Sequence, residues 1–239
     1  MFDGIFSTAI STALFPYLTE LVAKEEYDKL RGLLKRYIVL ICMILLPITA
    51  IIIIYSNEIV EVVFGHGKFD KASVDETAMV LLMYGLGLLF MCMTTVVNDI
   101  FYILKRNKLL LISTVINIIS NIILDFIFVD IWGVAGLSLA TTISLFVALF
   151  IKHFYIRDIH IFDWELIKHI ITVIVYCGIS VGAVIIFNIM VSLVPLLRLS
   201  LGIIIFFVFY ISLTLGLNKE MRAMFVSLIK DLKNKKKKS

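Results

Sequence analysis

The sequence predicts an all-α integral membrane protein with about seven transmembrane helices. Three observations carry that expectation. Apolar residues make up 61% of the 239 and charged residues only 17%, with a mean hydropathy of +1.05; a soluble domain is about half apolar and about a quarter charged. Runs such as Tyr37 to Tyr55 and Leu199 to Leu217 match the ~20 apolar residues that one helical crossing needs. Lysine and arginine crowd the connections on one side of an alternating series, the pattern that sets orientation in a bilayer. No shift in composition marks a soluble domain. Residues 1–217 therefore read as one transmembrane domain and 218–239 as a cytoplasmic amphipathic, Lys-rich tail.

The spans read, in order, as 3–22, 37–55, 78–100, 109–128, 135–152, 168–190 and 199–217. The first is the least apolar, with Ser7/Ser11 and Thr8/Thr12 at i, i+4; small polar faces let helices approach closely or line a hydrated path. Pro47 in the second frees a backbone carbonyl and is a candidate kink. In the following connection Ile59, Val60, Val63 and Phe64 fit a short interfacial helix, and Gly65 and Gly67 permit a sharp turn. The third span ends in Asn98, Asp99 and Tyr102, with Lys105 and Arg106 close behind; an interfacial ending and a local ion pair are both open. In the fourth, Thr114, Asn117, Asn121 and Asp125 recur at helical spacing as one polar stripe. That stripe suits the wall of a substrate path, together with Ser7 and Ser11, or plain helix–helix hydrogen bonding. After the last span, Met221, Met224, Phe225, Leu228, Ile229 and Leu232 share one face of a surface helix that precedes Lys235 to Lys238.

With the 24–36 connection in the cytoplasm, 19 of the 22 basic residues fall on that side. They are Lys24, Lys29, Arg31, Lys35 and Arg36; Lys105, Arg106 and Lys108; Lys152, Arg157 and Lys168; and eight in the tail. Only Lys68, Lys71 and Arg198 lie outside. The rule puts the C-terminus in the cytoplasm and residue 1 outside.

Enzyme chemistry has no signature: there is no phosphate loop, nucleophile elbow or metal-spaced histidine pair, so no catalytic residue, metal or cofactor is expected. Cys42, Cys92 and Cys177 sit inside apolar runs as small buried groups. The net charge of +4 gathers at one membrane face and implies membrane lipids rather than nucleic acid as its partner.

Three stretches carry a family resemblance. They are Ala9-Ile-Ser-Thr-Ala-Leu-Phe-Pro-Tyr-Leu18; Ile59 to Phe69 with Thr77-Ala78 and Tyr84-Gly-Leu-Gly-Leu88; and Phe101-Tyr102, Asn117 to Asn121 and Gly133-Val-Ala-Gly-Leu-Ser-Leu-Ala-Thr141. In that order they resemble the C-terminal half of the lipid II flippase family, MurJ or MviN, within the multidrug, oligosaccharidyl-lipid and polysaccharide exporters. The motifs cover about residues 2–155, and hydropathy alone continues the likeness beyond 160.

The resemblance implies one lobe of a two-lobe exporter fold in the bacterial cytoplasmic membrane. Its substrate would be an undecaprenyl-linked peptidoglycan precursor, moved by alternating access on a membrane potential or ion gradient. It also implies an N-terminal lobe, in the same or a separate chain, and with it the expectation of a fragment, a split gene or a truncated gene model. The family's cavity arginines have no counterpart in residues 1–30, and Lys105-Arg-Asn-Lys108 replaces the family's usual turn after Phe101-Tyr102. A flippase for another polysaccharide-linked lipid, and a non-transporting scaffold or inactive remnant, are the alternatives.

Overall fold

A computed structural model of the protein describes residues 15–67, 69–191 and 194–224. The helices are α1 (15–23), α2 (Tyr27–Phe64), α3 (Lys71–Ile103), α4 (Asn107–Trp132), α5 (Val134–Tyr155), α6 (Trp164–Met190), α7 (Pro195–Leu217) and α8 (219–224). A single 3-10 turn, Arg157–Ile159, sits between α5 and α6, and there is no strand among the described residues. Six of these helices, α2 to α7, are long and apolar enough to cross a membrane. The protein is a multi-pass membrane protein. Most of the expected span 3–22, with Ser7 and Ser11, and the Lys-rich end from 225 lie outside the described residues.

The helices overrun the apolar runs, most of all in α2. The connection expected at 24–36 shrinks to residues 24–26, with Glu25 in the left-handed region at φ 58°. Leu30, Leu34 and Ile38 explain the change: at four-residue spacing they continue the buried face of the span toward its charged end. The charges sit on the outer side of the same turns, where Lys29 meets Glu26 and Arg31 meets Asp28. At 38 residues the helix is about 57 Å long, more than a bilayer core is thick. It changes direction at Tyr55 (φ −118°, ψ 20°), eight residues past Pro47. Beyond that break, Val60 packs against Val74 and Ala78 of α3, while Val63 and Phe64 stay exposed. Gly67, at φ 69°, turns the chain, and Asp70 caps α3 by accepting from the Ser73 amide at 2.9 Å.

Helix α3 is the centre, with α2 on one side and α5 on the other. Two glycines of the Tyr84-Gly-Leu-Gly-Leu88 stretch set both approaches. A Cβ on Gly85 would stand 2.6 Å from Ile52 Cγ2 of α2, and one on Gly87 would stand 2.6 Å from Thr142 Oγ1 of α5. Hydroxyls then bind the exposed carbonyls: Thr49 donates to Gly85 O at 3.3 Å and Thr142 to Met83 O at 2.9 Å. Helices α4 and α5 form a hairpin around Gly133 (φ 57°). Helices α6 and α7 form a second pair, laid along α2.

Candidate functional site

Asn117, Asn121 and Asp125 of the α4 stripe lie half-buried against α5 and Thr114 is exposed, with Ile112, Ile119 and Ile123 exposed on the opposite face. Asn121 Nδ2 donates to Thr141 Oγ1 at 3.5 Å, and Thr141 in turn donates to Leu137 O at 3.0 Å. Thr114 turns back on its own helix and donates to Leu110 O at 2.9 Å. Asn117 Oδ1 and Asp125 Oδ1 are buried without a hydrogen-bond partner. The stripe thus joins two helices through Asn121 and leaves two acceptor oxygens unused. Carboxylate, amide, hydroxyl and carbonyl oxygens are donors that hard cations accept. No group of three His, Cys, Asp or Glu among the described residues is placed to hold a metal ion.

The other expected cluster divides. Asn98 turns to α5 and accepts from Lys152 Nζ at 2.8 Å, whereas Tyr102 points outward and is half-exposed. Lys152 is buried, so this one of the basic residues assigned to the membrane face is spent inside the protein. A charge-assisted bond of this kind is among the stronger hydrogen bonds a protein makes. Arg106 is committed elsewhere: it grips Asp158 with both terminal nitrogens and donates to Tyr155 O at 2.7 Å.

Sequence reasoning missed a third set of polar contacts, between α2 and the α6–α7 pair. Pro47 has no N–H, so the carbonyl four residues back, Met43 O, loses its helical donor. Tyr210 Oη of α7 supplies the missing bond at 2.8 Å. The proline signal therefore marks a docking point, while the change of direction occurs at Tyr55. Tyr55 is fully buried, and its hydroxyl donates to Asn188 Oδ1 of α6 at 3.2 Å. Gly202 of α7 makes room for it, since an added Cβ would overlap Tyr55 Oη. Glu58 and Arg198 pair at 3.4 Å at the same end.

At the basic end the 156–163 connector is clamped from two sides. Arg106 holds Asp158; Arg31 Nε donates to Ile159 O at 2.9 Å; Lys35 binds Asp163 and reaches Glu165 at 3.7 Å. The hydrogen bond from Arg106 keeps the Asp158 carboxyl below its ordinary range, and the bond from Lys35 does the same for Asp163. Asp163 also caps α6 through the Leu166 amide at 3.0 Å.

The model of the family described as lipid II flippase MurJ matches residues 1–211. The chain belongs to the lipid II flippase MurJ family. That match reaches into α7, well past the motifs that end near 155. A probable lipid II flippase MurJ of Synechocystis is 31% identical over 144 residues, 60% of this chain and 27% of the relative. The probable low-salt glycan biosynthesis flippase Agl15 of Haloferax volcanii is 24% identical over 230 residues, 95% of this chain and 46% of the relative. A solved structure of lipid II flippase MurJ, inward closed conformation, superposes with a TM-score of 0.73 at 22% identity. It covers 90% of this chain and 44% of that one, so the fold is that of roughly half a MurJ. The chain spans less than half the length of each of these relatives.

Proposed function

We propose that this chain is the C-terminal lobe of a lipid II flippase, carrying an undecaprenyl-linked peptidoglycan precursor across the bacterial cytoplasmic membrane by alternating access. The family match over residues 1–211 carries the reading. The lobe works with a second set of helices, in the same or a separate chain, because its relatives are more than twice as long as the part it matches. Its basic end, with α8 and the Lys-rich tail, faces the cytoplasm; the 19-to-3 division of basic residues supports that orientation. Residues 1–217 form the transmembrane domain. The unused oxygens of Asn117 and Asp125, with Asn121, Ser7 and Ser11, border the substrate path.

The test is depletion of the gene in its host. Lipid II accumulating within the cell supports the proposal. The Agl15 likeness favours a second reading, a flippase for another glycan-linked lipid, because it extends over 95% of the chain. Loss of surface glycan with normal lipid II levels would select that reading. Unchanged levels of both would leave only a scaffold or an inactive remnant.

A further inference from the structure

We propose that one open face of α3 walls the transport path and meets the sugar part of the lipid-linked headgroup; this rests on the transport function proposed above. Gly87, Phe90 and Asn98 of α3 meet Thr142, Phe146 and Lys152 of α5. Val74, Ala78 and Gly85 meet Val60 and Ile52 of α2. At about 100° per residue these two sets fall on opposite sides of α3, which leaves two faces between them. One carries Met79, Leu82, Leu86 and Met93 and is apolar throughout. The other carries Thr77, Tyr84, Leu88, Met91, Thr95 and Tyr102, with four hydroxyls and no charge.

Tyr84 shows what the second face meets. It is 43% exposed, and its hydroxyl has no hydrogen-bond partner among the described residues. In the 78–100 run it stands five residues from the middle, about 8 Å, whereas the hydrocarbon extends about 15 Å to either side. That is too deep for an interfacial tyrosine, and an unpaired hydroxyl in hydrocarbon is costly. Mid-span exposure on α4, α6 and α7 falls instead on side chains such as Ile119, Ile179 and Val208. Those faces suit lipid, and this face of α3 suits water and a polar solute. Tyrosine and threonine hydroxyls both donate and accept, and a tyrosine ring presents an apolar face beside its polar tip. A sugar ring offers the matching pair, hydroxyls at its rim and C–H groups on its faces. Phosphate recognition uses arginine or lysine, and this face has neither. Asp99, half-buried at its edge, further disfavours an anion there.

Two measurements test this on the full chain in its host membrane. In Tyr84→Cys and Leu86→Cys, a charged methanethiosulfonate reagent applied to opened membranes reacts with water-exposed thiols; Cys42, Cys92 and Cys177 are buried and do not compete. The rate should be several-fold higher for Tyr84→Cys, and equal rates overturn the proposal. In cells fed radiolabelled N-acetylglucosamine, p-benzoylphenylalanine placed at position 84 should photo-crosslink to labelled lipid several-fold more than at position 86. Mild acid, which cleaves the sugar–pyrophosphate bond, then separates the contacts. Label retained on the protein shows a bond to the sugar. Label lost shows a bond to the tail or phosphate, and no adduct at 84 shows no contact; either overturns the proposal. The label reports sugar on any lipid carrier, so normal lipid II levels on depletion would end the lipid II reading and leave this test intact.

Discussion

The α3–α4–α5 group and the α6–α7 pair are held by different chemistry. In the first, backbones come close: Gly87 lies under Thr142, Thr142 binds Met83 O, and Asn121 meets Thr141. Association inside a bilayer gains nothing from burying apolar surface against lipid, so close packing and interhelical hydrogen bonds must supply the attraction. The second pair meets α2 at separated points: Tyr210 on Met43 O, Tyr55 on Asn188, Glu58 with Arg198, and Lys35 with Asp163. Much of its remaining surface, such as Ile174, Ile185, Ile204 and Val208, is exposed. Both regions also share apolar packing: Val173, Val184 and Phe206 of the pair are fully buried against the core that α2 joins. The difference lies in the polar contacts: short-range hydroxyl and amide bonds in the first, long side chains reaching α2 at separated points in the second.

A matched pair of glycine substitutions separates the two regimes most strongly. Gly87→Val is expected to cost about 3 kcal/mol, the upper part of the range for overpacking, because a Cβ there meets Thr142 Oγ1 at 2.6 Å with the Thr142 Cβ and Cα close behind at 3.4 and 3.5 Å. Gly202→Val should cost only about 1–2 kcal/mol, because all the atoms it meets belong to the outer end of the Tyr55 side chain and none to backbone. Unfolding midpoints in detergent measure both, and equal losses would break the distinction.

Next in size is Asn98→Leu, which leaves the buried Lys152 ammonium without its acceptor at a cost of about 2–3 kcal/mol. Adding Lys152→Met should recover most of that loss, since an apolar pair needs no partner.

Tyr210→Phe orphans Met43 O and should cost about 1 kcal/mol. Pro47→Ala restores an N–H four residues along, so the loss from Tyr210→Phe should nearly vanish in that background. A double-mutant cycle with no coupling would remove the docking role of the proline.

These cases show what could be read without coordinates. The membrane class and the general placement of the helices follow from long apolar runs, a local property. The stripe of Thr114, Asn117, Asn121 and Asp125 was equally visible, because helical periodicity puts it on one face. Which helix that face meets depends on Thr141 across a hairpin, and periodicity carries no such information. Pro47 announced a freed carbonyl, but its donor is 167 residues away in Met43–Tyr210 numbering. Lys35 and Asp163, 128 residues apart, were equally hidden, since each looked like a solvated charge at a span edge. The early start of α2 was legible in Leu30, Leu34 and Ile38 and was masked by the charges between them.

The smallest expected effect lies in the clamped connector. Asp158→Asn should cost under about 1 kcal/mol at neutral pH, because the pair is largely solvent-accessible. Asp158 and Asp163 both have depressed folded-state pKa values. Their contribution is therefore present above the unfolded aspartate value, about 3.9, and is lost as pH falls through the lower folded values. Proteolysis or hydrogen exchange within 156–163 should accelerate only below about pH 4, and Asp158→Asn should flatten part of that response.

The central claim is that this lobe carries a lipid-linked precursor past the α4 stripe. It is tested most directly by replacing the chromosomal gene with Asn117→Ala/Asn121→Ala/Asp125→Ala and measuring the share of lipid II that an enzyme added outside the cell can reach. With the variant present in the membrane at wild-type level, the externally accessible share should drop several-fold while total lipid II rises. An unchanged share at unchanged protein level would contradict the account.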